Sequence, residues 1–126
     1  MTNRAIGFIG LGLMGTAMVE RLQAKGYAVT ALANVNRTGI DAAIARGATE
    51  AANGKAVAEA ADIVMLCMGT SDQVEARMRG DDGVIAGLTE GKVVIDFGTS
   101  LPGSTRALGL EVAAKGAAML DAPLGR

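Results

Sequence analysis

Short apolar runs alternate with amphipathic stretches along the whole chain, and glycines separate many of them. The apolar runs predict six strands, at residues 5–9, 27–32, 48–49, 62–68, 92–97 and 117–120. Between them, apolar residues recur at helical spacing, as Met14, Met18 and Leu22 do. Alternating strands and helices predict an α/β fold, a doubly wound parallel (Rossmann) sheet of six strands in the order 3-2-1-4-5-6.

The first strand is followed by three glycines at the spacing G-x-G-x-x-G, namely Gly10, Gly12 and Gly15. In a strand–turn–helix unit, the first glycine allows a tight turn, the second lets backbone approach a pyrophosphate, and the third lets helix and strand pack closely. Residues 10–15 are therefore predicted to bind a dinucleotide cofactor: Gly10, Leu11, Gly12, Leu13, Met14 and Gly15. The alternative is a tight strand–helix turn without a ligand.

Composition narrows the class of protein further. Apolar residues make up 50% of the 126 residues and aromatic residues only 2%, which suits small aliphatic helices packed on a parallel sheet. The length suits one domain, residues 1–126. A net charge of −1 gives no indication of a nucleic-acid or membrane partner. No apolar run approaches the roughly 20 residues of a membrane span, and the N-terminus does not resemble a signal peptide.

Cys67 is the single cysteine, so an internal disulfide is excluded and a reducing, cytoplasmic location is predicted. It lies at the end of an apolar strand, and the chain contains no histidine that could act as its base. We interpret Cys67 as a small buried hydrophobic residue rather than a nucleophile. The absence of histidine also excludes a His general base or His-ligated metal within these residues, and no metal site is predicted.

The end of the second strand bears on the choice of cofactor. An acidic residue about 20 positions after the glycines normally binds the adenosine ribose in NAD enzymes. Residues 33–38 contain no acid; instead they offer Arg37 and two asparagines as hydrogen-bond donors. This pattern favours a 2′-phosphate and hence NADP over NAD. The alternative is that Arg37 is an ordinary solvated loop residue.

Two further loops, 69–72 and 98–101, follow the fourth and fifth strands. Ligands of open α/β sheets bind at the carboxyl ends of the strands, so both loops should converge with the glycine turn on one cofactor cleft. Ser71 or Asp72 can cap the helix predicted at residues 73–79. Thr99 either contacts the ligand or caps the following helix, predicted at residues 104–115.

Together these stretches resemble the β-hydroxyacid dehydrogenase family, which includes 3-hydroxyisobutyrate dehydrogenases and tartronate semialdehyde reductases. The resemblance rests on four stretches in the same order, over essentially the whole chain: Gly7 to Gly15, the triplet Asn36-Arg37-Thr38, Asp96-x-x-Thr99-x-x-Pro102 and Asp121-Ala122-Pro123.

The resemblance implies a set of contact residues. Beyond the glycine turn, the cofactor would contact Asn36, Arg37, Thr38, Met68, Gly69, Gln73 and Thr99. In the family, the stretch after Asp-Ala-Pro binds the substrate carboxylate. Here Leu124-Gly125-Arg126 replaces Val-Ser-Gly, so Gly125 and Arg126 are the candidate substrate-binding residues. Gly69 stands where many members have proline.

The resemblance also implies an activity, hydride transfer between NADP(H) and a small β-hydroxyacid or semialdehyde. Family members use a catalytic lysine in a C-terminal helical domain, which would lie beyond Arg126. We therefore expect residues 1–126 to be the cofactor-binding part of a longer enzyme, inactive alone, and a homo-oligomer in its full-length form. An imine reductase and a non-catalytic NADP-binding module for sensing or assembly are the alternatives.

Overall fold

A computed structural model describes residues 4–33, 36–98 and 102–122. Strands and helices alternate along these residues. Their bounds are β1 Ile6–Ile9, α1 Leu13–Ala24, β2 Val29–Leu32, α2 Thr38–Ala45, β3 Thr49–Glu50, α3 Gly54–Ala60, β4 Ile63–Leu66, α4 Ser71–Met78, α5 Val84–Gly87, β5 Val93–Asp96, α6 Pro102–Ala113 and β6 Ala118–Asp121. The helices of this part of the chain are too short or too polar to cross a bilayer.

The strands of the described residues form one parallel sheet in the order β3-β2-β1-β4-β5-β6. This confirms the predicted fold class and strand order. The order reverses at β1, where β1 pairs with β2 on one side and with β4 on the other. A crevice therefore opens at the carboxyl ends of β1 and β4, which is where ligands of doubly wound sheets bind.

Two apolar clusters hold the sheet between its helices. One cluster contains Phe8, Val19, Ala31 and Ile40 and lies between the sheet and helices α1 and α2. The other cluster contains Ile9 and joins strands to α3, α4, α5 and α6. Aliphatic side chains fill most of both clusters, as the composition predicted. Among the described residues, Phe8 is the aromatic side chain that is buried in the core.

Several element boundaries differ from their predictions for local reasons. The second strand starts at Val29 rather than residue 27, because the amide of Tyr27 donates to Leu22 and closes the end of α1. Helix α4 starts at Ser71 rather than residue 73, and its cap is Thr70, not Ser71 or Asp72. Strand β6 extends to Asp121, which pairs in register with Asp96.

Among the described residues, one half of the sheet is covered on a single face only. The register aligns Ile63 with Val93 and Ala118, and Met65 with Ile95 and Leu120. These six apolar residues form what we call the open face; all are half-buried or exposed, and Leu120 is 54% exposed. An uninterrupted apolar run such as that of β4 is typical of a strand buried on both faces, but the β4 residues on the open face are only half-buried. Helices α1 and α2 cover β1 and β2, while the later helices pack on the opposite face.

A cavity of about 320 Å³ lies beside the open face. Its lining combines the apolar side chains of Met65 and Phe97 with residues of α1 and its C-cap, namely Met18, Arg21, Leu22 and Lys25. Contiguous apolar surface of this kind is uncommon on a monomeric soluble protein.

We expect the 126-residue chain to self-associate through the open face as its concentration rises. Leu120→Lys should shift sedimentation toward the monomer, because a charged side chain would have to be desolvated in the contact. The matched control is Leu110→Lys on α6, where the side chain is 70% exposed and lies outside the open face. An equal shift for both variants would show that the open face has no special role.

Candidate cofactor site

Two glycines of the turn are required by the protein's own packing. Gly10 has φ +96°, a conformation that residues with side chains rarely adopt, and a Cβ there would overlap the Cys67 carbonyl group. A Cβ on Gly15 would overlap the Gly10 carbonyl oxygen and press on the ring of Phe8. Both glycines let β1, β4 and α1 approach closely.

Gly12 differs from both, because no contact with the described residues requires glycine there. Its φ is −77° and its ψ is −158°, an extended conformation open to any residue. A Cβ at Gly12 would have no other group of the described residues within 4 Å, and Gly12 is exposed. The missing side chain therefore keeps space free outside the protein, as the close approach of a pyrophosphate would require.

The first turn of α1 is arranged to bind an anion. Side chains cap α3 and α4, since the Asn53 amide oxygen accepts from Ala56 and the Thr70 hydroxyl accepts from Gln73. Gly12 has no such group, so no side chain caps α1. Amide groups in a helix's first turn lack intrahelical acceptors, and the helix dipole adds partial positive charge there. Phosphate oxygens match both properties.

Two cavities meet at this turn. One, of about 190 Å³, lies between β1 and β4 and is lined by Gly10, Leu11, Gly12, Asn36, Cys67, Met68 and Gly69. The other, of about 270 Å³, lies toward α2 and is lined by Leu11, Gly12, Leu13, Asn36, Thr38 and Gly39. Leu11, Gly12 and Asn36 border both, so the two cavities adjoin along the turn, and together we call them the crevice. Met14 is exposed in the first turn of α1 but is not among the described residues that line either cavity.

The loop after β4 lies directly against the glycine turn. The side-chain oxygen of Gln73 accepts a hydrogen bond from the amide of Gly69 at 3.0 Å, which closes this loop onto α4. Gly98, after β5, approaches the Met68 carbonyl so closely that a Cβ would overlap it. The described parts of the three predicted loops therefore converge. Three predicted site residues lie outside the described residues: Thr99, Gly125 and Arg126.

The triplet 36–38 divides its side chains between two directions. The Asn36 side-chain oxygen accepts from the Thr38 amide at 2.7 Å and keeps both residues at the crevice. The Arg37 guanidinium instead points toward β3, where it donates two hydrogen bonds to the Glu50 carboxylate, at 2.7 and 3.0 Å. It also donates to Asp41, at 3.0 Å. Arg37 is thus held by two carboxylates beside the crevice.

The structure adds two residues to which sequence analysis gave no role in the site, although Asp96 was part of a motif that carries the family resemblance. Arg77 reaches from α4 to the Ala33 carbonyl just after β2, at 3.1 Å, and ties α4 to the end of that strand. Asp96 is fully buried, and its carboxylate accepts from the Gly98 amide, which shapes the loop after β5. Arg77 and Ala33 are 44 positions apart, so no local pattern could have shown their contact. For Asp96 the sequence contained a weak indication, since an acidic residue stands at the end of an otherwise apolar strand.

Cys67 lines the crevice but is poorly suited to act as a nucleophile. Burial raises the pKa of its thiol, and the nearby Asp96 carboxylate raises it further. The thiol is consequently protonated at neutral pH. Because the thiolate is the reactive form of cysteine, Cys67 is not activated as a nucleophile. Among the described residues, no group of three or more acidic, cysteine or histidine side chains could hold a metal ion.

Comparison with known proteins finds sequences and solved structures that are similar to this chain. "Probable 3-hydroxyisobutyrate dehydrogenase-like 3, mitochondrial" from Arabidopsis thaliana is 40% identical over 119 residues, covering 94% of this chain but 37% of the relative. A structure described as "Psf3 in complex with NADP+ and 2-OPP" shares 34% identity with a TM-score of 0.82, over 91% of this chain and 40% of that one. An imine reductase from Streptomyces aurantiacus shares 30% identity with a TM-score of 0.78, over 94% and 40%.

The chain thus spans about two fifths of the length of these relatives. The match to a protein family covers residues 5–125 and includes the glycine turn, the triplet 36–38 and the loops after β4 and β5. It also agrees with the resemblance to hydroxyacid dehydrogenases drawn from the sequence. The chain belongs to the family described as the NAD binding domain of 6-phosphogluconate dehydrogenase.

Proposed function

We propose that the crevice binds NADP(H), with the pyrophosphate on the first turn of α1. The observation that carries this proposal is Gly12, whose missing side chain leaves space that the described residues do not fill and that a pyrophosphate could occupy. The uncapped amides beyond it would donate to phosphate oxygens. The adenosine half would then extend toward Asn36 and Thr38, and the nicotinamide half toward Met68, Gly69 and Thr99. Gln73 would support the contacts with the nicotinamide half, because its side chain holds the Gly69 amide.

The proposed reaction is hydride transfer between NADP(H) and a small β-hydroxyacid or semialdehyde. The bound nicotinamide would supply the hydride chemistry, while the chain's own residues would orient the ring and exclude water from one side. The name of the Arabidopsis relative supports the hydroxyacid class. Gly125 and Arg126 stay the candidates for contact with the substrate carboxylate.

We also propose that these 126 residues act as the cofactor-binding part of a longer enzyme. Relatives are about two and a half times as long, and the open face offers an apolar surface on which further residues of the longer chain would pack. The catalytic acid implied by the resemblance, a lysine, would lie in that additional region. A homo-oligomeric full-length form stays a prediction.

Titration of the chain with NADPH and NADH tests the proposed cofactor. We expect both to bind and NADPH to bind more tightly, by less than about tenfold, because Arg37 is already paired with two carboxylates. Isothermal titration calorimetry at one fixed salt concentration measures both dissociation constants. Equal affinities, or tighter binding of NADH, would show that Arg37 does not favour a 2′-phosphate.

An imine reductase is the second candidate, favoured by the likeness to the Streptomyces aurantiacus structure. The cofactor site would be the same in both cases, so the 126-residue chain alone does not separate them. Assaying NADPH oxidation by a longer form with small semialdehydes and with cyclic imines distinguishes the two. Turnover confined to imines would replace the hydroxyacid proposal.

A further inference from the structure

The charges around Arg37 are unusual for a 2′-phosphate site. Glu50, on β3, engages both terminal nitrogens of the guanidinium, and Asp41, one turn further along α2, engages one of them. The three side chains together carry a net charge of −1. A phosphate that approached Arg37 in this arrangement would meet two carboxylates bound to the same group, which is electrostatically unfavourable.

The Glu50 carboxylate is ionised at neutral pH. Hydrogen bonding to Arg37 lowers the pKa of Glu50. Hydrogen bonds from the guanidinium to Glu50 and then to Asp41 raise the pKa of Arg37. The pairing of Glu50 is bidentate, which is the most favourable geometry between an arginine and a carboxylate. Glu50 is therefore the stronger of the two competitors for the guanidinium.

The position of Glu50 follows from the register of the sheet. Parallel pairing sets Thr49 beside Thr30 and Glu50 beside Ala31, near the carboxyl end of β2. Arg37 adjoins Asn36 and Thr38, which line the crevice, but it is not among the described residues that line either cavity itself. The ion pair thus draws the guanidinium to the side of the adenosine end of the crevice.

The ion pairs are weak enough for a ligand to displace them. The side chains of Arg37, Asp41 and Glu50 are 54%, 62% and 37% exposed. Exposed pairs are screened by solvent and salt and are only weakly stabilising. A 2′-phosphate can therefore draw Arg37 away from Glu50, but part of the gain in binding is lost in breaking the pair.

We propose that Glu50 is a specificity-determining residue, which competes with the 2′-phosphate of NADP for Arg37 and narrows the preference for NADP over NAD. Glu50 acts through Arg37 and does not itself contact the cofactor in this proposal. The inference rests on the proposed cofactor site. In this proposal the acidic residue that affects the choice between NADP and NAD lies on β3. In Rossmann domains that bind NAD, the corresponding acidic residue commonly lies at the end of β2.

The test compares two probes that differ only in the 2′-phosphate, 5′-AMP and adenosine 2′,5′-bisphosphate. Glu50→Gln should raise affinity for the bisphosphate about three- to tenfold, since one competing charge is removed, while 5′-AMP affinity changes less than about twofold. NADPH and NADH should show the same contrast. Calorimetry at two salt concentrations should show a larger gain at low salt.

Glu20→Gln is the matched control, because Glu20 is exposed on α1 and forms no ion pair among the described residues. It changes net charge equally and should leave the ratio of the two affinities unaltered. In the double variant Glu50→Gln with Arg37→Ala, the gain in affinity for adenosine 2′,5′-bisphosphate should disappear. Thermal melting checks that each variant folds.

Each contrary outcome has a separate meaning. If Glu50→Gln leaves the bisphosphate affinity unchanged or lowers it while 5′-AMP still binds, competition by Glu50 is refuted. A gain that survives removal of Arg37 also overturns the inference. If the unmodified chain binds neither 5′-AMP nor NADH, the proposed cofactor site itself is wrong and the inference falls with it.

Discussion

Gly12→Val should abolish detectable dinucleotide binding while leaving the chain folded. The valine side chain would occupy the open space beside the first turn of α1, where the proposed pyrophosphate lies. We expect affinity for NADPH to fall at least about 100-fold, or about 2.8 kcal/mol at 1.4 kcal/mol per tenfold. Calorimetric titration of both forms measures this.

The fold should tolerate this change because the protein's own packing leaves room for it. The backbone at Gly12 is extended, and a Cβ there meets no other group within 4 Å in the part of the chain that the structure describes. Valine is a poorer helix N-cap than glycine, which should cost about 0.5–1 kcal/mol of stability. Gly15 offers the contrast, since a side chain there would overlap the Gly10 carbonyl and destabilise the domain before binding could be measured.

Gly109→Val is the matched control for Gly12→Val. Gly109 lies within α6, and a Cβ there also has open space around it. The control should melt at the same temperature or slightly higher, because valine has a higher helix propensity than glycine, and it should bind NADPH normally. If Gly12→Val binds NADPH as well as the control does, the pyrophosphate does not lie at this turn.

The second large effect concerns catalysis: the 126-residue chain should bind cofactor without turning over substrate. Reducing a carbonyl requires an acid to protonate the developing alkoxide, a contribution of about 10²- to 10⁴-fold. The chain has no histidine, and a threonine hydroxyl such as Thr99 is too weak an acid. The lysine implied by the family resemblance would lie beyond Arg126.

The lysines within the chain are not placed to serve as that acid. Lys92 donates to the carbonyl groups of Ala58 and Glu59 at the end of α3. Lys25 and Lys115 follow the C-terminal ends of α1 and α6, and Lys55 lies in the first turn of α3. None of the four lines the described part of the cofactor crevice.

The measurement is NADPH oxidation with glyoxylate and several small semialdehydes, compared between the 126-residue chain and a form of the length of its relatives. We expect steady turnover only from the longer form, because it would also supply the second wall that positions substrate and excludes water. A calorimetric titration of the short chain is the control for intact cofactor binding. Comparable turnover by the short chain would place the catalytic group within these 126 residues.

Local pattern was sufficient to predict the elements and their order. The alternation of apolar and amphipathic stretches predicted the parallel sheet, because right-handed crossovers leave few arrangements for alternating strands and helices. Prediction of element ends was less accurate where a cap or a register decided them. Thr70 caps α4 in place of Ser71 or Asp72, and pairing with Asp96 extends β6 to Asp121.

The sequence by itself determined the glycine turn, because Gly10, Gly12 and Gly15 have their spacing and flanking elements in one short stretch. It also indicated Arg37 as a cation near the adenosine end of the crevice. Only the tertiary structure decided which groups hold that cation. Glu50 is 13 positions from Arg37, and parallel pairing of β3 with β2 brings the two together. Contacts between distant residues depend on the register and packing of the whole sheet, which no local periodicity encodes.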